Sequence, residues 1–131
     1  MRPREVQHKM WKALDTIPAS VRIYFVSNPR KGSIHNYGAA VDVTITDVNG
    51  QPLDMGAGYD DSRRIAYPIY EKRFLNTGEL LLEHINNRKL LRLIMGKAGF
   101  TGIDSEWWHF NACSHQYAEV HYPIIENEED F

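Results

Sequence analysis

The sequence predicts an α+β fold, with flanking helices on a small, mainly antiparallel sheet. Three observations support this class. Apolar residues recur at helical spacing near the start of the chain and again in its second half. Short runs of β-branched and aromatic residues lie between them, and clusters of turn-forming residues separate the segments. With 131 residues the chain can bury one core, so we expect a single domain over residues 1–131.

The first part of the chain predicts a helix, a strand and a loop. Apolar side chains at helical spacing over residues 4–16 predict an amphipathic helix, which Pro18 ends. The run from Val21 to Val26 is rich in β-branched and aromatic residues and predicts a strand. Residues 27–32 are dense in turn-forming residues and predict a loop that leads into the next segment.

The rest of the chain alternates between apolar segments and turn signals. We expect the Leu-rich helix to belong to the core and Gly99 to end it. The predicted elements, in order, are a strand over residues 38–47, a tight turn at Asn49-Gly50, an aperiodic polar segment over 51–66, a helix over 87–98, a short strand over 107–110 and a frayed acidic tail over 126–130.

Composition excludes several classes of function. A net charge of −2 with 24% charged residues gives no electrostatic reason to expect nucleic-acid or membrane binding. No apolar run approaches the roughly 18 residues that a membrane span needs, and the N-terminal residues lack the apolar core of a signal peptide. Cys113 is the only cysteine, so no internal disulfide can form, and we expect a cytoplasmic protein.

Two motifs contain residue types that suit metal binding and proton transfer. Residues 33–42 have the pattern S-x-H-x-x-G-x-A-x-D, and residues 106–109 read E-W-W-H. Catalytic zinc usually takes three protein ligands and keeps a further position for water. The three candidate ligands are His35, Asp42 and His109. Glu106 is the candidate base that takes a proton from that water.

The geometry of the motifs constrains this interpretation. Asp42 lies in a β-branched strand, where a buried carboxylate must be paired or bound to a metal. Gly38 lets the backbone turn between His35 and Asp42, through a positive φ or a close approach. Glu106 and His109 would face opposite sides of a regular strand, so both reach one site only if a turn or bulge falls near residues 105–107 or if Glu106 lies at the end of the strand, and the sequence leaves both open.

Other interpretations of these residues stay open. His35 could be a solvated loop histidine, His109 a hydrogen-bonded core histidine and Glu106 a surface residue. His115 and His121 are the alternatives if His109 is not a ligand. We expect all four histidines outside the motifs on the surface, namely His8, His84, His115 and His121, and Cys113 as a small buried residue.

The two motifs, in this order and at this separation, resemble the zinc D-alanyl-D-alanine peptidases. Trp107-Trp108 and the segment Met55–Asp60 resemble the VanX-type dipeptidase branch in particular. The resemblance extends from Arg2 to about residue 123. It implies a Hedgehog/DD-peptidase-like fold, one Zn²⁺ per chain, and hydrolysis of the D-Ala-D-Ala dipeptide to D-alanine by metal-activated water.

The resemblance also implies roles for residues outside the two motifs. Arg2, in the pair Arg2-Pro3, matches the arginine that stabilises the transition state, although a disordered terminal arginine is the alternative. Asp60 matches the carboxylate that holds the substrate ammonium, and an alignment slipped by one residue would give Asp61 instead. The implied substrate contacts are Ser33, Tyr59, Asp60 and Trp108; an ordinary turn at Tyr59 and Asp60 is the other interpretation.

One departure from the family pattern affects what we expect. The family carries several dozen residues before the Arg-Pro pair, and this sequence has no counterpart to them. We therefore expect a peptidase domain without that N-terminal segment, with a free sheet edge that would suit a homodimer. If an N-terminal segment is missing, a periplasmic location becomes the alternative. The other functions considered are a D,D-carboxypeptidase, a peptidoglycan peptidase and a catalytically impaired zinc-binding domain.

Overall fold

The computed structural model describes residues 2–23 and 25–130. The chain forms two compact units, one built from residues up to Val41 together with those from Cys113 onward, the other from Asp42–Ala112. The helices and strands, in order, are α1 (Arg4–Ala13), α2 (Ala19–Arg22), β1 (Ala40–Asp42), α3 (Glu71–Thr77), α4 (Leu82–Lys97), β2 (Thr101–Gly102), β3 (His109–Asn111) and α5 (His115–His121). Short 3-10 helices are Ile34–Tyr37, Arg64–Ala66, Pro68–Tyr70 and Glu128–Asp130.

The three strands form one small sheet in the order β1-β3-β2. Strands β2 and β3 run antiparallel, with Thr101 opposite Asn111 and Gly102 opposite Phe110. Phe110 is 1% exposed and belongs to the core. This sheet with its flanking helices confirms the predicted α+β class.

The first unit is organised around a small apolar cluster and a buried glutamine. The cluster contains Ile34, Tyr37, Ala39, Ala40 and Ala118, with Cys113 and Ile124 packed against it. Helix α1 contributes Gln7, whose side chain is fully buried and donates to the carbonyl oxygen of Ser27 at 2.8 Å. The helix ends at Ala13, before the predicted limit of residue 16.

The predicted strand from Val21 to Val26 is wrong. Ala19–Arg22 form a helical turn, the following described residues form turns, and Tyr24 lies outside the described residues. Local hydrogen bonds explain the difference, because the Arg22 guanidinium donates to the carbonyl oxygen of Ile17 at 2.8 Å and to the Asp15 carboxylate at 2.7 Å. β-Propensity favours a strand only where a partner strand and a packed face exist.

The predicted strand over residues 38–47 is much shorter, because the chain after Asp42 forms its own hairpin. Leu53 donates to Ile45 and Asp47 to Gln51, both at 2.8 Å between backbone nitrogen and oxygen. The Asn49-Gly50 turn is confirmed, with Gly50 at φ 80°.

Helical and C-terminal elements also differ from the predictions. Helix α4 begins at Leu82, earlier than predicted residue 87, and ends before Gly99, which has φ 87°. Helices α3 and α5 were not predicted. The strand expected over residues 107–110 lies at β3. The acidic tail is not frayed, since Glu128–Asp130 form a 3-10 helix and Glu126 pairs with Arg4.

None of the helices in the described ranges is long and apolar enough to cross a membrane.

Candidate metal centre

His35 lies on the 3-10 helix Ile34–Tyr37 and is 7% exposed. The Asn36 side chain caps the start of this helix, because its Oδ1 accepts a hydrogen bond from the backbone nitrogen of Ser33 at 2.7 Å. Gly38 closes its end in the left-handed conformation, at φ 67°, and donates to the carbonyl oxygen of His35 at 3.1 Å. The predicted positive φ at Gly38 is therefore confirmed, and the backbone of His35 is fixed from both sides.

Asp42 ends β1 and His109 begins β3. Their side chains are 13% and 8% exposed, and His109 Nδ1 lies 3.1 Å from Asp42 Oδ1. His109 Nε2 lies 2.7 Å from Asn111 Oδ1. With the amide placed this way, its oxygen can only accept, so the Nε2–H donates to it and Nδ1 remains available as a metal ligand.

Asn111 is a site residue that sequence reasoning missed. It follows His109 by two positions on the same strand, so both side chains project from one face of the sheet. The two-residue spacing between His109 and Asn111 is the feature of the sequence that could have identified Asn111.

Glu106 reaches the same side as His109 because the chain bends at residues 104–105 and 107–108. These bends, with β3 beginning only at His109, correspond to the two conditions that the sequence left open. Glu106 Oε2 lies 3.7 Å from His109 Nδ1, and the Glu106 side chain is 41% exposed. A partly exposed carboxylate beside the candidate ligand nitrogen has access to water, as a general base needs.

The ligand atoms of His35, Asp42 and His109 all lie within 4.8 Å of one another. Among the described residues, these three form the group of histidine, cysteine and acidic side chains able to hold a metal ion. Two imidazole nitrogens and one carboxylate oxygen suit catalytic zinc and leave a position for water or substrate. The donor set therefore fits zinc.

The remaining histidines lie outside this group. His8, His115 and His121 are exposed, as predicted for the surface. His84 is a correction, because its side chain is only 12% exposed and pairs with Asp54 at 3.2 Å. Its Nδ1 also accepts from the backbone nitrogen of Leu81 at 3.1 Å, at the start of α4.

His109 has an altered proton affinity. Burial lowers the pKa of His109, but the hydrogen bonds that its ring donates to Asp42 and Asn111 and the negative charge of Glu106 raise it, and the net pKa lies above the ordinary value of 6.5. In the metal-free protein a proton is thus favoured at this imidazole, where a metal would compete with it.

Tyr59 and Trp108 lie beside Asp42, the candidate carboxylate ligand. The Tyr59 hydroxyl donates to Asp42 Oδ2 at 3.3 Å, and its ring centroid lies 5.5 Å from that of Trp108. Asp60, the next residue, has φ 60°, a conformation that non-glycine residues adopt uncommonly. Asp61 is already engaged, since Arg63 donates to its carboxylate at 2.6 Å and lowers the pKa of Asp61.

Ser33 and Arg2 are tied to the segment that carries His35. The Ser33 hydroxyl is buried and donates to Gln7 Oε1 at 2.9 Å. The backbone nitrogen of Arg2 donates to the carbonyl oxygen of His35 at 3.3 Å. Its carbonyl oxygen accepts from the Asn36 side chain at 2.7 Å. The backbone of Arg2 is therefore held beside the first motif.

Comparison with known proteins gives consistent matches. The Peptidase M15 profile, described as D-ala-D-ala dipeptidase, matches residues 2–127. D-alanyl-D-alanine dipeptidase of Escherichia coli K12 is 36% identical over 109 residues, which cover 83% of this chain and 50% of that protein. The Synechocystis protein of the same name is 36% identical over 89 residues, covering 65% of this chain and 36% of that protein. That of Enterococcus faecalis is 26% identical over 92 residues, covering 69% and 42%. The chain thus spans half or less of the length of these relatives.

Proposed function

The chain belongs to the Peptidase M15 family of D-Ala-D-Ala dipeptidases, and from this we propose that it hydrolyses the D-Ala-D-Ala dipeptide to free D-alanine. The observation that carries the proposal is the group of His35, Asp42 and His109, with Glu106 placed 3.7 Å from the ligand nitrogen of His109. A purely structural zinc site is usually closed by four protein ligands. A three-ligand group beside a carboxylate favours hydrolysis.

The proposed metal is one Zn²⁺ held by His35, Asp42 and His109. When bound, zinc supplies Lewis-acid chemistry, because it polarises a carbonyl group and makes water more acidic. Asn111 accepts from His109 Nε2–H and so keeps Nδ1 directed toward the metal position.

Proton transfer is assigned to Glu106. Its carboxylate takes the proton of the attacking water and later delivers it to the leaving amine. The negative charge that develops on the substrate carbonyl oxygen needs a cation nearby, and Arg2 is the proposed donor. The backbone hydrogen bonds between Arg2 and the His35 segment support this choice over a disordered terminal arginine.

Dipeptide selectivity is assigned to the segment after Met55. An ammonium group is costly to bury without a partner, so a carboxylate there favours free dipeptides over longer peptides. We assign this role to Asp60, which the family resemblance matches to that carboxylate, and the Asp61 carboxylate accepts hydrogen bonds from Arg63. Tyr59 and Trp108 would form the wall of the substrate position, and Ser33 is the remaining proposed contact.

The decisive experiment measures D-alanine release from D-Ala-D-Ala by the zinc-loaded chain. Glu106→Gln should lower kcat at least about a hundredfold while one zinc per chain is retained. The matched control is Glu119→Gln, an exposed carboxylate on α5 that should leave kcat unchanged. Full activity in Glu106→Gln would reject its role. No release by the zinc-loaded native chain would favour the alternative of an impaired zinc-binding domain.

Substrate class can be tested with a blocked dipeptide. N-acetyl-D-Ala-D-Ala lacks the ammonium, so a dipeptidase that uses Asp60 should cleave it poorly. Efficient cleavage would favour the alternative of a D,D-carboxypeptidase or peptidoglycan peptidase. The cytoplasmic location and the homodimer stay predictions; fractionation of cells and light scattering of the purified chain would test them.

A further inference from the structure

One buried side chain holds both ends of the segment that carries Tyr59 and Asp60. Arg88, on α4, is completely buried. Its Nε donates to the carbonyl oxygen of Met55 at 2.8 Å, and its Nη2 donates to that of Ile65 at 3.1 Å. A single planar guanidinium therefore connects the two ends of the segment 55–65.

A buried guanidinium is energetically costly, so its contacts identify its role. Arg88 Nη1 lies 3.5 Å from Glu71 Oε1 and has no hydrogen-bond partner within the described ranges. Glu71 is itself engaged by Arg92 through two bonds, at 2.8 and 2.9 Å. The strong contacts of Arg88 are thus with the two backbone carbonyls rather than with the carboxylate.

The first end of this segment is also fixed by close packing. Gly56 has φ 71°, and a Cβ there would lie 2.4 Å from a Leu80 methyl carbon and 2.5 Å from the His84 ring. Trp107 Nε1 donates to the carbonyl oxygen of Ala57 at 3.1 Å. Between these fixed ends the tip is open to solvent, with Tyr59 58% exposed.

The tip nevertheless makes a defined contact with the metal-binding carboxylate. The Tyr59 hydroxyl lies 3.3 Å from Asp42 Oδ2. An exposed tip keeps such a position only if its ends are held, because a free segment of this length has many conformations. The hydrogen bonds of Arg88 contribute to that restraint at both ends, and the contacts of Gly56 and Ala57 add to it at the first end.

We propose that Arg88 is a positioning residue for substrate binding, which fixes Tyr59 and Asp60 relative to Asp42 by tying residues 55 and 65 together. This inference rests on the proposed function for the identity of the substrate. Arg88 does not touch the reacting atoms, so its loss should weaken binding of the dipeptide more than it slows the chemical step.

The test compares Arg88→Met with the matched control Arg92→Met. Arg92 lies on the same helix, and its described hydrogen bonds both go to Glu71. Arg88→Met should raise KM for D-Ala-D-Ala about tenfold or more, with kcat changed less than about threefold and zinc affinity unchanged. Arg88→Lys should restore part of the loss, and Arg92→Met should leave KM near the native value.

A double-mutant cycle with Tyr59→Ala establishes the route of the effect. If Arg88 acts through the tip, Arg88→Met should change KM little in the Tyr59→Ala background. Equal KM changes in both backgrounds, a fall in kcat at constant KM, or the same change in Arg92→Met would overturn the proposal.

Hydrogen exchange separates this inference from the proposed function. Amides of residues 56–64 should exchange about tenfold faster in Arg88→Met than in Arg92→Met, whether or not the native chain hydrolyses the dipeptide. Unchanged exchange would reject the restraint. If Arg88→Met does not fold by circular dichroism, Arg88→Lys, which keeps the charge beside Glu71, decides by the same measurements.

Discussion

The two segments that supply the imidazoles are stabilised in different ways. Around His35, buried side chains bond the backbone: Asn36 is completely buried and binds the main chain of both Ser33 and Arg2. Around His109, side chains bond each other, in the series Asp42–His109–Asn111. The hydrogen bonds of the first segment fix the backbone around His35. Those of the second segment fix the protonation state and the orientation of the His109 ring. Mutations should therefore affect stability at the first and metal binding at the second.

The largest expected effect on stability comes from Asn36→Ala. This change leaves the buried nitrogen of Ser33 and the carbonyl oxygen of Arg2 without their partner, so we expect a loss of about 3 kcal/mol in the free energy of unfolding. Urea denaturation measures it. The control Asn86→Ala, an exposed residue on α4, should stay within about 0.5 kcal/mol of the native chain. A loss below about 1 kcal/mol for Asn36→Ala would contradict the idea that buried side chains stabilise the backbone around His35.

Asn111→Ala should act on the metal instead. Without its oxygen the His109 ring loses the contact that directs Nδ1, so zinc affinity should fall about tenfold or more. Competition with a zinc chelator gives the affinity, and urea denaturation of the metal-free chain gives the stability. If Asn111→Ala lowers stability as much as Asn36→Ala while zinc affinity stays constant, the two segments do not differ as described.

Gly38→Ala tests a second contribution to the stability of the backbone around His35. Gly38 has φ 67°, where an L side chain is strained, so we expect a loss of about 1 kcal/mol in stability. Gly58→Ala is the control, because an added Cβ there has open space and Gly58 is not among the glycines with positive φ. Equal effects at the two glycines would show that the left-handed cap contributes nothing.

The smallest predicted effect concerns the pH dependence of stability. The sign of this dependence should differ between the metal-free and the zinc-loaded protein. The fold raises the pKa of His109 above 6.5, so its protonated ring contributes stability that is complete below 6.5 and is lost as pH rises through the raised folded pKa. Zinc requires the neutral ring, so stabilisation by zinc should instead grow as pH rises.

Thermal unfolding between about pH 5 and 8, with and without zinc, tests this prediction. The native chain is compared with His109→Gln, and the difference between the two isolates the contribution of this ring. If the pH dependence of thermal stability has the same sign with and without zinc, the result would argue against His109 as a ligand.

The candidate ligands His35, Asp42 and His109 could be predicted from the sequence because catalytic zinc restricts both residue type and spacing, and the structure brings their ligand atoms together. The residues that hold these ligands could not. Asn36, Arg88 and Asn111 resemble ordinary polar surface residues until their partners are known. Arg2, one of the two partners of Asn36, and both carbonyl partners of Arg88 lie far along the chain. The missed elements have a similar cause. Helices α3 and α5 contain seven residues each, and helices this short depend on tertiary packing.

The hydrogen bonds between the two ends of the first unit bear on how the protein is made. The nitrogen of Ile125 donates to the carbonyl oxygen of Asn36 at 2.7 Å, and that of Arg4 donates to the carbonyl oxygen of Ile125 at 2.8 Å. A ribosome releases the His35 segment long before it releases Ile125, because synthesis starts at the N-terminus. The segment around His35 therefore completes its hydrogen bonds only once Ile125 has been synthesised. If the proposed zinc site forms, its His35 segment is complete only after Ile125 has been synthesised, and a nascent chain stalled before Ile125 would expose an unfinished segment to chaperones and proteases.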